Sequence, residues 1–364
     1  MSAQSLLSSK IKVQHHKSEE NSEDGKILHD FVSFDAENAE INTISEAKNL
    51  AKNMGEKVFP YLQETLENMT DDTKRSQCEK TVAWVHKKAV WHPELVEKCT
   101  HQLLEKMENS EALKEIPLSY EQIWIDTSIA AILHDIGRLS EVDIAAGAVC
   151  MERGGLKKHH ALISFDILEH ARIKPEILLA IRYHEFADVD EVINDDLYKN
   201  MSVDNQKIAR FYTYVLQDMD KTANLTERSI FGIKKCAEFF DPHYIQDYGI
   251  TEEYFENALN GNYLRLKGGH LLDAMMRFVT WTYCIHFQET KEILAEVLTK
   301  FFAQMYAEAE REYENSADKN PVKLADTLGK IMQLENYSIF ERMNISLDEK
   351  QKNAVSAKIK ELRA

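Results

Sequence analysis

At 364 residues the chain is long enough for one large domain or two smaller ones. Its 44% apolar content is that of a soluble globular protein, and 12 Gly and 6 Pro provide too few turns for an all-β fold. A net charge of −17 disfavours a broad nucleic-acid footprint or an anionic membrane surface, but not a local cationic pocket for one phosphate.

No stretch approaches the roughly 18 consecutive apolar residues of a transmembrane helix, and residues 1–30 lack the hydrophobic centre of a signal peptide. Five cysteines, at 78, 99, 150, 236 and 284, are scattered and form no CxxC. That pattern argues for free thiols in a reducing cytoplasm and against a disulfide frame or a Cys-zinc site. Long helical patterns separated by short polar breaks predict an all-α fold.

Residues 1–43 are polar and aperiodic, which predicts a mobile N-terminal arm. Helical patterning runs from Ser45 towards Asn68, with breaks expected at Gly55 and Pro60. The next helix, 73–92, carries Val82, Val85 and Ala89 at helical spacing, and His86 lies on or beside that stripe. A helix over 94–116 follows, with His101 on its outer face. The helix over 119–135 is the most apolar and ends in Leu133-His134-Asp135-Ile136-Gly137-Arg138. A His-Asp pair closing a buried helix needs a partner, because an unpaired buried charge is costly. A metal ion is an economical one.

A short helix and a loop are expected over 140–157. In the helix over 158–171, both His159 and His160 have apolar neighbours at helical spacing, so periodicity does not separate them. The helix over 175–186, opened by Pro175, places Ile177, Ile181 and His184 on one stripe. An acidic loop is expected over 187–202. The helix over 203–223 has Ile208, Tyr212, Leu216 and Asp220 facing inward, with Asp218 nearer its flank. An apolar helix over 270–306, a polar break at 315–321 and two terminal helices complete the pattern. The last opens with the capping box Ser346-Leu347-Asp348-Glu349.

His86, His134-Asp135, His160, His184 and Asp220 thus lie on five separate helices. In this order the residues resemble the HD-domain metal-dependent phosphohydrolases, in their two-metal H…HD…H…H…D branch. Leu133–Gly137 matches the HDIG form. His160–Ser164, Ile177–His184 and Asp218–Lys221 resemble the later steps of the pattern. The likeness covers about residues 75–225. It implies an HD-type helical bundle over 44–228, with residues 229–364 as a helical extension packed on it.

The resemblance also implies a ligand set. His86, His134, Asp135 and Asp220 would hold one divalent ion, and Asp135 would bridge to a second held by His160 and His184. Such His-rich ligation suits Fe, Mn or Zn better than Mg. With Asp135 at the centre of the chemistry, Arg138 and Lys221 are placed to contact phosphate, and Lys87, Lys88, Lys157 and Lys158 are weaker candidates. The expected substrate is a small phosphorylated molecule such as a nucleotide. Residues 185–188 contain no Gly-Tyr-Pro, which removes the main reason to expect a cyclic di-GMP phosphodiesterase. The alternative is a catalytically silent HD module used as a ligand sensor or helical scaffold. The C-terminal helices could cover the site, form a homodimer interface, or both.

Overall fold

A computed structural model of the chain describes residues 32–37, 39–140, 142–143, 148–149, 160–185, 190–231, 248–262 and 269–343. The fold is all-α, interrupted among the described residues by one two-residue antiparallel strand pair. The chain divides into two units, Met1–Asp220 and Lys221–Ala364.

In the first unit, helix α1 spans Ile44–Glu67. Thr43 and Glu46 cap it reciprocally, and the expected breaks at Gly55 and Pro60 do not occur. A buried stripe of Leu50, Met54, Val58 and Leu62 recurs every fourth residue and outweighs the one backbone hydrogen bond that proline forfeits. Helix α2 (Asp72–His86) runs into a π-turn, Lys87–Trp91, and then into α3 (His92–Met107). The expected 94–116 helix is split, because the Ser110 hydroxyl caps a separate turn, α4 (Glu111–Lys114).

Helix α5 (Tyr120–Leu133) is the centre of this unit. Every residue from Asp126 to Leu133 is buried, and α1, α3 and α7 pack around it. A 3-10 turn over Ile136–Ser140 follows. Strands β1 (Val142–Asp143) and β2 (Ala148–Val149) pair where a short helix was expected. Helices α6 (His160–Leu168) and α7 (Pro175–Tyr183) come next. The expected acidic loop contains α8 (Asp190–Asn194) and α9 (Asp196–Lys199), the latter capped by the Asp195 carboxylate. Helix α10 (Val203–Phe231) runs through the division between the units.

Part of the expected arm belongs to this core. Val32, Ala36 and Ile41 are buried, and Ile41 and Arg172 are joined by a backbone hydrogen bond. Residues 1–31 of that arm lie outside the described residues.

The second unit contains α11 (Glu252–Leu259), α12 (Leu271–Thr280), α13 (Gln288–Asn315) and α14 (Pro321–Glu335). Its core gathers Leu271, Met275, Phe301, Phe302, Leu328 and Ile331. The helix expected over 270–306 is interrupted at a 3-10 turn, Trp281–Cys284. There the hydroxyls of Thr280 and Thr282 donate to the carbonyls of Arg277 and Val279, a local bonding pattern that competes with the helical ladder. The capping box at Ser346 lies outside the described residues. No described helix is long and apolar enough to cross a membrane.

Candidate metal centre

Helix α5 delivers His134 and Asp135 at its C-terminal end, in the interior of the first unit, where they are 0% and 1% exposed. Just beyond, Gly137 lets α6 approach. A Cβ on Gly137 would lie 2.4 Å from the His160 carbonyl oxygen and 2.6 Å from the Ser164 nitrogen. The Ser164 hydroxyl closes the contact, accepting from Gly137 N at 2.9 Å and donating to the His134 carbonyl at 2.6 Å. A small residue at 137 and a hydroxyl at 164 therefore set the distance at which His160, the first residue of α6, meets Asp135.

His134 and His184 are aimed in the same way. Each lies at a helix end and donates from Nδ1 to the carbonyl three residues earlier: His134 to Ala131 at 2.8 Å, His184 to Ile181 at 2.7 Å. A carbonyl only accepts, so Nδ1 carries the proton and Nε2 faces inward, the orientation of a metal-ligating imidazole.

Two buried groups with metal-ligand spacing result. His92, His134 and Asp135 offer donor atoms within 4.8 Å of one another, and so do Asp135, His160 and His184. Asp135 belongs to both. Its Oδ1 lies 3.1 Å from His160 Nε2 and 3.7 Å from His184 Nε2, and its Oδ2 lies 3.6 Å from His134 Nε2. Asp220 flanks the first group, with Oδ1 2.7 Å from His92 Nε2 and 3.8 Å from His134 Nε2. The buried His134 Nε2 and Asp135 Oδ1 make no hydrogen bond among the described residues. Unsatisfied buried donor atoms facing one another are what an ion would satisfy. The two groups could hold metal ions.

The electrostatics agree with that use for the two carboxylates and for His184. Burial alone would raise the Asp135 carboxyl, but the Arg138 guanidinium, then His134 and His160, hold it well below the usual carboxylate range. Burial also opposes the ionised form of Asp220, yet the neighbouring imidazoles of His134 and His92 keep it well below that range. For His134, burial lowers the imidazole and the Asp135 and Asp220 carboxylates raise it to a net higher value. For His160, burial and Arg138 lower it, while Glu185 and Asp135 raise it well above the ordinary value. His184 is pushed down to about 3 by burial and by the other two imidazoles, which keeps it neutral. Ionised carboxylates and a neutral imidazole are the forms that ligate metal, so Asp135, Asp220 and His184 are ready for an ion, whereas His134 and His160 give up a proton to one.

The structure brings together His134, Asp135, His160, His184 and Asp220, but not His86. That residue is exposed at the end of α2, its ring 4.7 Å from that of Phe59. His92 stands at the first group instead. The π-turn after His86 fits an extra residue into the helical turn and shifts the inward face. A signal for His92 was present in the sequence: Val96, Cys99 and Leu103 follow it at +4, +7 and +11, and all three are buried.

Between the alternatives left open, Asp220 is the residue beside the histidines, while Asp218 is buried elsewhere on α10. His160 is in the second group, and His159 lies outside the described residues. Arg138 donates from Nε to Asp135 Oδ2 at 2.8 Å, with its guanidinium carbon 5.2 Å from the centre of the Trp84 ring. Lys221, expected to contact phosphate, donates to the Cys284 carbonyl at 3.0 Å within the second unit. Its chain position beside Asp220 did not reveal that acceptor, 63 residues away. Lys88 is buried, Lys87 half-buried, and Lys157 and Lys158 lie outside the described residues.

Glu185 was not singled out from the sequence as a site residue. Its Oε1 lies 3.0 Å from His160 Nε2 and 3.3 Å from Arg138 Nη2. No family model, curated protein or solved structure matches the chain.

Proposed function

We propose that the chain is a metal-dependent phosphohydrolase of the HD type, acting on a small phosphorylated molecule such as a nucleotide. One observation carries the reading: a single carboxylate, Asp135, is shared by two buried His/Asp groups. Two adjacent ions are the arrangement that supports in-line displacement at phosphorus. Divalent ions bound there would neutralise phosphate oxygens and lower the pKa of a bridging water, so no side-chain nucleophile is required.

The chain's own residues supply the rest. Asp135 spans the two groups, and His92, His134, His160, His184 and Asp220 surround it. The donor set is rich in imidazole, which favours Fe, Mn or Zn over Mg. Arg138, already held on Asp135, is a cation at the centre that can fork onto phosphate oxygens. The net charge of −17 argues against extended nucleic acid as substrate.

The test is metal content followed by activity. Protein purified without chelator should carry at least about one equivalent of transition metal. It should hydrolyse a generic phosphodiester or phosphomonoester when Mn is added, and Asp135→Ala should abolish both. A folded, metal-loaded protein inactive on nucleotides, cyclic dinucleotides and generic esters would instead favour a ligand sensor.

A further inference from the structure

The second group is faced by a cation that belongs to the protein. Arg138 Nη2 lies 3.0 Å from His160 Nε2 and 3.3 Å from Glu185 Oε1, while Nε of the same guanidinium lies 2.8 Å from Asp135 Oδ2. Three of the groups that would attract an ion at this place, His160, Asp135 and Glu185, are therefore contacted by one planar fork. The guanidinium is 7% exposed at the residue level and is backed by the Trp84 ring at 5.2 Å, so it is seated rather than passing through. Asp135 is shared, and the oxygen that Arg138 holds, Oδ2, is the one 3.6 Å from His134 Nε2. But neither histidine of the first group is paired with Arg138 among the described hydrogen bonds and ion pairs, and their near neighbour is a carboxylate, Asp220, 2.7 Å from His92.

A guanidinium cannot give up its proton at accessible pH, so it can yield this place only by moving. A divalent ion entering the second group meets a like charge a few ångströms away, against an interior that screens it poorly. The first group meets an anion instead. The two groups are alike in donors, but the histidines of the first are met by a carboxylate, Asp220, whereas His160 of the second is met by a cation, Arg138, as well as by a carboxylate, Glu185.

We propose that Arg138 is a built-in counter-cation of the second group, competing with the second metal ion, so that the two groups load in order: His92, His134 and Asp135 first, then Asp135, His160 and His184 once Arg138 has withdrawn from His160. This inference rests on the metal-centre reading above. It adds that the second ion is bound conditionally and that one residue sets the condition. The withdrawn guanidinium, still tethered three residues from Asp135, is then available to an anion at the same place.

Mn(II) titration of the full chain, counting free ion by its electron paramagnetic resonance signal, tests this without reference to activity. The wild type should show two classes of site, the second weaker. In Arg138→Gln the second class should tighten at least about tenfold, as expected from removing a like charge at this distance, and the first should stay within about threefold. Arg138→Lys retains the charge, which protects the fold, but not the fork. Its second class should fall between the other two. Equal second-class affinity in all three proteins, or weaker binding in both variants, overturns the proposal while leaving the metal centre intact. No Mn(II) bound to any of them overturns the metal-centre reading as well.

Discussion

His92 Nε2 and Asp220 Oδ1 stand 2.7 Å apart, although 128 residues separate them in the chain. Both are buried, and the pair fastens the start of α3 to the middle of α10 beside His134. His92→Ala should remove one donor of the first group and leave Asp220 without its bond to the imidazole. We expect loss of at least about 100-fold in affinity at the tighter Mn(II) site, the scale on which even a supporting residue of a metal site is felt. His86→Ala, at an exposed ring against Phe59, should leave that affinity unchanged. Equal losses in the two variants would show that the first group is not where the geometry puts it.

Gly137 offers a test of how the second group is positioned. A methyl at this residue meets backbone atoms of α6 at 2.4 and 2.6 Å, and backbone cannot rotate aside. Gly137→Ala should therefore push α6 away, at a cost of about 1–3 kcal/mol. His160 moves with α6, so the second metal site should weaken more than the first. Chemical denaturation and metal titration on the same variant check both parts. A variant as stable as the wild type would mean that α6 is not packed this tightly.

How much of this was legible in the sequence depends on the range of the interaction concerned. The buried run through Ile129–Leu133 identified α5, and the stripes ending in His184 and Asp220 pointed inward, because a regular α-helix repeats its faces. The π-turn at Lys87–Trp91 breaks that repeat locally, so extending the α2 stripe led to His86 and past His92. Pro60 was read as a break because its lost hydrogen bond is local, whereas the buried stripe that carries α1 through it is tertiary. Glu185 carried no periodic signal. It meets His160 and Arg138 only because the ends of α6, α7 and the 136–140 turn converge.

Asp126 shows that not every buried carboxylate here belongs to the metal centre. It is 1% exposed and accepts from Tyr212 OH at 2.8 Å, from Lys174 Nζ at 2.8 and 2.9 Å, and from Gln122 Nε2 at 2.9 Å. Burial first and then this carboxylate raise the Tyr212 phenol above its ordinary value, so the hydroxyl stays protonated and donating. Asp126→Ala should cost about 2–4 kcal/mol, because it strands a buried hydroxyl and breaks an ion pair whose lysine is partly solvated. Asp126→Asn keeps an acceptor and should recover part of that loss. Neither should alter metal stoichiometry in protein that remains folded. Loss of metal from folded Asp126→Asn would place this carboxylate in the centre after all.

His286 gives the second unit a pH dependence of calculable sign. Burial, and then the positive charge of Lys221, push its imidazole from an ordinary 6.5 down to about 4. Above pH 6.5 it is neutral folded or unfolded and contributes nothing. As the pH falls from 6.5 towards 4, the unfolded chain takes up a proton that the folded unit refuses, so stability is lost through that window. At pH 4.5 the loss attributable to this residue should be about 1–2 kcal/mol, allowing for its partial exposure. His286→Gln has no proton to take up, so the gap between its unfolding free energies at pH 7 and pH 4.5 should be narrower by that amount. Carboxylates that titrate in the same range affect both proteins alike and cancel in the difference. An identical acid-dependent loss in variant and wild type would show that the imidazole is hydrated enough to protonate in the folded state.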